Sequence, residues 1–511
     1  MKNKVDISMQ LPKWLYWTLF SLIIFIFIAL RFIPISQGTV PYTYDQGRDF
    51  FAARNIIVNK DIVLIGPTTG AQGVFHGAWW YYFLAVPFVL SDGNPIGFYY
   101  FIACVGLLQS VIIAYYLKKH VSPLVSLLVL GIISISPYFI KTSIFAINSI
   151  LTLPFILLLI ASLYAYFKNK ELKFLYAIAL SAGMIAEAEV AFGIFLFPSL
   201  LLSVLCTKNG RLFFGSLKKT LLVVTGVVSA MMLRILFELK NNFLQTKALT
   251  SFWGSESTQP KQFLDVIHER IELFQAYYFE IFPKELAFIG GVLFVAALIG
   301  YWKGYKKLDS FQKKWVTFIS VLTAFLFLIS LVYKNSFFWA YYFEGIHFIF
   351  IALTAIGIYC LSKVHPKISS GIILGVLVIT MMFGFVRMRS EYTKKIDVMG
   401  LKMHTDAIEY LYGQVGMSPF CLRMYTPPVL THTYNYLLDQ QSRTGKGIYP
   451  RSEFINNQCW YFIESDSYAK RREDWLLNNI PGGATKVVEH TVSKDLLIQK
   501  WVMKENDKTS K

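Results

Sequence analysis

Charged side chains are scarce in this sequence: they make up 16% of 511 residues, and Asp and Glu contribute only 31 of them. Ordinary soluble chains carry about 25%, so a normal water-facing surface is excluded for most of this one. Cysteine is scarcer still, at five residues, too few for a disulfide scaffold. Gly445-Lys446-Gly447 lacks the rest of any nucleotide-phosphate motif, and no His, Cys or carboxylate cluster has zinc spacing. These absences argue against soluble nucleotide-dependent enzymes and zinc modules. What abounds is apolar: 55% hydrophobic and 17% aromatic residues, in long runs that mark an all-α polytopic membrane protein. The net charge of +18 sits in short basic clusters between those runs, which fits membrane topology and not a nucleic-acid partner.

The first run, about 14–34, is long enough to cross the hydrocarbon core, and no cleavage site for a signal peptide stands out before it. After a polar loop come apolar segments near 79–91, 95–117, 121–140, 147–167, 173–190, 191–206 and 217–237. Four more lie near 286–302, 312–333, 337–362 and 367–387. Residues 1–388 read as a multi-span membrane domain with external loops at about 35–78 and 238–285, and residues 389–511 as a small soluble α/β domain. Lys2, Lys4 and Lys13 place the N-terminus in the cytoplasm, together with Lys118-Lys119, Lys168 to Lys173, Lys208 to Arg211, Lys218-Lys219, Lys303 to Lys307 and Lys363 to Lys367. The Asp45 loop, Lys141 to Asn148, Glu187 to Glu189, the 238–285 stretch, Lys334 to Glu344 and the C-terminal domain then share the extracytoplasmic side. Parity is off by one between Ala78 and Lys118, where two apolar segments stand and one crossing is wanted. Either 79–91, short for a span, is re-entrant or tilted, or Lys118-Lys119 breaks the charge rule.

The candidate chemistry lies on that one side. Tyr44-Asp45-Gln46-Gly47-Arg48-Asp49 directly follows the first span, and such charges at a bilayer edge cost free energy unless hydrated, paired or used. On a helix Asp45, Arg48 and Asp49 share a face. Phe50, Phe51, Ala53, Ile56 and Ile57 give that helix an apolar side suited to a membrane surface. The plainer reading is a solvated helix start with Asp at the positive end of the dipole. Gly66 to Gly70 and His76 to Tyr82 suit either a phosphate cradle or a turn with an aromatic belt. Glu187 and Glu189 end an apolar run; two apart, they point to different faces, so one at most serves a wet cavity, unless both simply snorkel. Lys334 with Tyr341, Tyr342 and Glu344 sets a cation and hydroxyls among aromatic rings, which suits a phosphate bearing a sugar or a polyprenyl chain, or an aromatic belt with a rim lysine.

In the tail, Asp406 to Gly413 has helical spacing with Gly413 as a cap, and Phe420 to Tyr425 and Trp460 to Ile463 read as strands. Cys421 and Cys459 fall at strand starts, so they are equally a disulfide in an oxidising compartment or two free thiols.

Together these motifs resemble the GT-C class of integral-membrane glycosyltransferases, in the protein O-mannosyltransferase and aminoarabinose-transferase superfamily. The resemblance is carried by Asp45-Gln46-Gly47-Arg48-Asp49, the His76 to Tyr82 stretch, Asp92-Gly93-Asn94-Pro95, Ser136-Pro137 with Asn148, and Tyr341-Tyr342, over about three quarters of the chain. It implies roughly 11–13 spans and inverting transfer of a sugar from a polyprenyl-phosphate carrier to an acceptor hydroxyl on a protein, lipid or glycan. Asp45 would be the general base; Arg48, Lys334 and His76 would stabilise the departing phosphate; Asp49, Asn148, Glu187, Glu189, Tyr341 and Tyr342 would line the substrate site. Two departures stand out. The family often has Glu where Gln46 stands and an acid near Asn148, which leaves a divalent metal site unassigned. The alternative function is a transporter or flippase of a lipid-linked or anionic substrate, which predicts ionisable groups spread through the membrane midplane.

Overall fold

The structure, a computed structural model, describes residues 11–254, 261–333 and 338–503. Helix α1 (Lys13–Ser36) leads to α2 (Tyr44–Arg54), a hairpin of β1 (Ile65–Thr68) and β2 (Phe75–Gly77), and α3 (Trp79–Ser91). Next come α4 (Pro95–His120), α5 (Pro123–Ile135), α6 (Pro137–Ser143), α7 (Thr152–Asn169), α8 (Leu172–Ala188), α9 (Val190–Cys206), α10 (Gly210–Phe214) and α11 (Leu217–Lys240). Helices α12 (Leu244–Gly254), α13 (Phe263–Phe279), α14 (Ala287–Gly304), α15 (Ser310–Ser330), α16 (His347–Ser362) and α17 (Pro366–Thr393) complete the helical part. Local chemistry sets several starts: the Asn94, Ser122 and Ser136 side chains accept from Ile96, Val125 and Phe139 N–H, each beside a proline at the first helical position, where its missing N–H costs nothing.

Seven helical stretches among the described residues are long and apolar enough to cross a membrane, and the pair α5–α6, bent by 65°, makes an eighth. Of the shorter apolar helices, α9 and α16 are further candidates for crossings. α3 is not one of them. It begins where Trp80 bonds Asp49 and ends at a turn where Tyr436 donates to the Gly93 carbonyl at 2.6 Å, so both its ends lie on the face that carries α2. Helix α4 crosses instead and sets Lys118 3.9 Å above the Tyr16 ring at the start of α1. The parity conflict is thereby removed: Lys118-Lys119 stand with the other basic clusters on the opposite face.

The break at Ser136-Pro137 frees carbonyls inside the bundle, and α1 supplies their donor. Arg31 is fully buried; Nη1 and Nη2 donate to the Ser134 and Ile133 carbonyls at 2.9 and 3.1 Å, and Nε donates to Ser143 at 3.2 Å. Nothing in the hydropathy pattern singles this residue out. Arg31→Met should lower stability by about 2–3 kcal/mol, since buried carbonyls lose their donors; the melting midpoint of purified protein checks this, and an unchanged midpoint would deny the staple.

Helix α17 continues past residue 388 to Thr393. The tail then forms α18 (Gly400–Val415), β3 (Leu422–Tyr425), α19 (His432–Arg443), β4 (Gln458–Glu464), α20 (Ala469–Asn479), β5 (Ala484–Ser493) and β6 (Leu496–Met503). The sheet order is β3-β4-β6-β5, with β3 parallel to β4 and the other pairs antiparallel. Gly413 lies inside α18 and does not cap it; Gly416, at φ +59°, follows the helix. Cys421 and Cys459 are disulfide-bonded.

The tail is fastened to the first polar loop. Leu401 and Lys402 N–H donate to the Val40 and Gly38 carbonyls at 3.0 and 2.8 Å, Tyr42 donates to the Thr433 carbonyl at 3.1 Å, and Arg54 pairs with Asp439 at 3.3 Å. Phe50 stacks on Phe98 at 4.0 Å and meets Tyr436 edge-on at 5.5 Å. The apolar side of α2 therefore does not rest on a membrane surface at Phe50 and Ala53; both are buried, Phe50 between α4 and α19. Gly47 is required at this junction, because a Cβ there would lie 2.5 Å from the His432 backbone. Gly47→Ala should cost about 1–3 kcal/mol through overpacking and loosen α19 from α2, read as faster proteolytic release of the tail; an unaltered cleavage rate would show that the junction has slack.

Candidate active site

Helix α2 is held at its head by Gln46, whose Oε1 accepts from Thr43 N–H at 2.7 Å while Nε2 donates to the Ala146 carbonyl at 3.1 Å. A glutamate could make the first bond but not the second. Asn148 is used alike, donating through Nδ2 to the Ala188 carbonyl at 2.8 Å. Both departures from the acidic pattern thus serve backbone carbonyls at chain breaks.

With α2 fixed, its charged face forms one array. Arg48 reaches Asp45 through Nη1 and Asp49 through Nε, both at 2.9 Å, and the Tyr81 side chain also bonds it. The two carboxylates differ. Asp49 is 1% exposed, with Oδ1 on Arg48 and Oδ2 accepting from Trp80 Nε1 at 2.8 Å; burial, only partly offset by Arg48 and Trp80, pushes its carboxyl up to about 6. Asp45 is 36% exposed, so it keeps an oxygen for other partners. Asp49 orients Arg48, and Asp45 is the carboxylate in reach of a ligand. Tyr341, in a short turn after α15, lies within electrostatic reach of Asp45 and Glu189. From the tail, His432 lies near Arg48 and Asp45, and burial followed by Arg48 lowers its pKa.

A second knot lies beside the first. Strand β2 closes on β1, with a Cβ at Gly66 lying only 2.3 Å from the Gly77 carbonyl oxygen, so Gly66 serves strand pairing. His76, on β2, is buried, and that burial, with Arg234 and Arg48 nearby, drives its pKa down to about 3. Glu187 pairs through Oε1 with Arg234 Nε at 2.5 Å, and Arg234 Nη1 donates to Gln245 Oε1 at 3.0 Å. Glu189 lies buried in the break between α8 and α9. A third group joins Tyr138 to the Glu344 carboxylate, with Tyr138 stacked on His347 and His347 Nε2 3.6 Å from Glu280.

The structure thus gathers Asp45, Arg48, Asp49, His76, Asn148, Glu187, Glu189, Tyr341 and Tyr342 on one face, while Lys334 lies outside the described residues. Sequence reasoning does not single out Gln245, His347 or His432 as site residues; Arg234 stands out only as a charge near the end of an apolar run, and Glu344 only as the end of the aromatic group that suits a phosphate. Among the described residues no three His, Cys, Asp or Glu side chains are grouped as metal ligands.

No family model matches the chain, and no curated protein sequence does. Solved structures do. ArnT from Cupriavidus metallidurans bound to undecaprenyl phosphate superposes with a TM-score of 0.57 at 11% identity, covering 95% of this chain and 97% of ArnT. The apo state of the same protein gives 0.58 at 10% identity over the same shares. This chain is a multi-pass membrane protein with the fold of ArnT, membrane helices and tail domain together.

Proposed function

We propose that the protein is a membrane glycosyltransferase that moves a sugar, with inversion, from a polyprenyl-phosphate carrier to an acceptor hydroxyl. The observation that carries this reading is the pairing of a solvent-reachable carboxylate, Asp45, with Arg48 at 2.9 Å in a fold shared with a protein solved with undecaprenyl phosphate. Asp45 takes the acceptor proton as the hydroxyl attacks the anomeric carbon. Arg48 holds the phosphate whose charge grows as it leaves. Asp49 and Trp80 keep Arg48 in place.

The basic helix ends on the face opposite α2 favour a cytoplasmic N-terminus; among them Lys307 Nζ donates to the Lys363 carbonyl at 2.7 Å. The site and the 389–511 domain are then extracytoplasmic, where the domain positions the acceptor. The transporter alternative draws no support from Arg31, which is committed to helix carbonyls, or from Arg234, held by Glu187. The test is turnover: membranes carrying the protein, given a polyprenyl-phosphate sugar and cell-envelope acceptors, should release polyprenyl phosphate. Movement of intact donor across the bilayer without release would favour the transporter.

A further inference from the structure

Among the described residues, four buried polar atoms of the β2–α8–α11–α12 knot have no hydrogen-bond partner: His76 Nδ1, Glu187 Oε2, Arg234 Nη2 and Gln245 Nε2. Their side chains are otherwise fixed. The His76 ring bonds the Ala188 backbone, Glu187 Oε1 and Arg234 Nε hold each other, and Arg234 Nη1 donates to the Phe75 carbonyl at 2.9 Å. Gln245 Oε1 accepts from Phe75 N–H at 2.9 Å. Each residue is therefore pinned by one end and leaves the other unused. Orphaned buried groups are costly, so four from one knot call for a shared partner. Gly77 admits the approach, since a Cβ there would lie within 2.8 Å of three Glu187 side-chain atoms.

The atom types specify that partner. A neutral imidazole that gives its N–H to the Ala188 carbonyl leaves Nδ1 as an acceptor, and Glu187 Oε2 is a second acceptor. Arg234 Nη2 and Gln245 Nε2 only donate. A phosphate would satisfy the donors but be repelled by Glu187 and receive nothing from Nδ1; a cation would be repelled by Arg234. Hydroxyl groups, which donate and accept, fit all four. His76 also lies within electrostatic reach of Arg48, which puts the knot beside the proposed phosphate holder.

We infer that His76 Nδ1, Glu187 Oε2, Arg234 Nη2 and Gln245 Nε2 form the subsite that binds the hydroxyl groups of the transferred sugar. This rests on the lipid-phosphate donor reading and refines it by moving His76 from the phosphate to the sugar. The test measures affinity of full-length protein in nanodiscs for undecaprenyl phosphate, bare or carrying glucose, galactose, mannose or arabinose. His76→Gln keeps a donor for the Ala188 carbonyl and loses Nδ1; Gln245→Glu keeps the Oε1 contacts and replaces the donor with an acceptor. Wild-type protein should prefer at least one sugar-bearing lipid over the bare one. Each variant should reduce that preference about five- to tenfold, the worth of one hydrogen bond, with bare-lipid affinity changed less than about twofold. Bare-lipid binding without any sugar preference, or equal weakening of bare and sugar-bearing lipids, overturns the subsite alone. Failure of the wild type to bind even the bare lipid overturns the donor reading and the subsite with it.

Discussion

Asp45→Asn should lower sugar transfer about 10²–10⁴-fold, the usual worth of a positioned general base, while the melting midpoint stays nearly constant. The second half follows from exposure. Asp45 is 36% exposed and its partner Arg48 26% exposed, and ion pairs in water contact contribute little to stability. An amide at 45 still accepts a hydrogen bond from Arg48, so donor binding should survive, and the loss should appear in kcat with KM for the lipid donor little changed. A loss confined to KM would instead make Asp45 a binding group, and full activity would remove it from the chemistry.

Arg48→Met should act on both stability and turnover. Asp49 would keep Trp80 but lose its cation while remaining 1% exposed, at a cost of about 1.5–3 kcal/mol for a charge-assisted bond. Transfer should fall about 10²–10³-fold, comparable to losing one donor to a developing anion. The double variant Arg48→Met with Asp49→Asn separates the two: stability should return because no unpaired buried charge remains, and activity should not. Recovery of both would mean that Arg48 only neutralises Asp49.

The same pair sets a pH dependence with opposite signs for stability and rate. The Asp49 carboxyl is held up at about 6, above its ordinary value of 3.8, mainly by burial. Between these values the folded protein holds a proton that the unfolded chain has released. This contribution to stability is fully present below 3.8 and is lost as pH rises through about 6. Activity runs the other way, because protonated Asp49 weakens its grip on Arg48, and transfer should decline as pH falls through about 6. Asp49→Asn should flatten the rate curve and remove the Asp49 contribution from the stability curve. His76, held down from 6.5 to about 3, adds no limb to the rate near neutral pH, but in the melting midpoint it opposes Asp49, because below 6.5 the unfolded chain takes up a proton that folded His76 refuses. Rates and melting midpoints from pH 4.5 to 7.5 check this, and an acid limb of the rate that persists in Asp49→Asn would assign it elsewhere.

Much of the architecture was legible because bilayer length and hydrophobic periodicity act locally. Eight of the twelve apolar segments coincide with helical stretches long enough to span, and the doubtful one, 79–91, is the helix that stays on one face. Its placement depended on Trp80 and the Gly93 turn meeting partners distant in sequence, Asp49 and Tyr436, which hydropathy does not encode. The Asp45, Arg48 and Asp49 face was readable from helical spacing alone. That Asp49 is sealed while Asp45 is open was not, because the cover comes from Trp80, and α19 adds a second wall to α2. Nor did the pattern reveal the tail's docking on Gly47, which arises from a backbone approach some 385 positions along the chain, from residue 47 to His432. Gln46 and Asn148 looked like missing acids and are carbonyl donors; only the position of Ala146 and Ala188 shows why an amide is needed.

The account stands on a lipid phosphate lying against Arg48 with the sugar side turned toward Asp45. A density map of the full chain in nanodiscs with undecaprenyl phosphate tests this most directly. The phosphate should contact the Arg48 guanidinium, with its tail running between the membrane helices and Asp45 open to the space beyond. A phosphate bound away from Arg48, or an Asp45 walled off from it, would contradict the assignment.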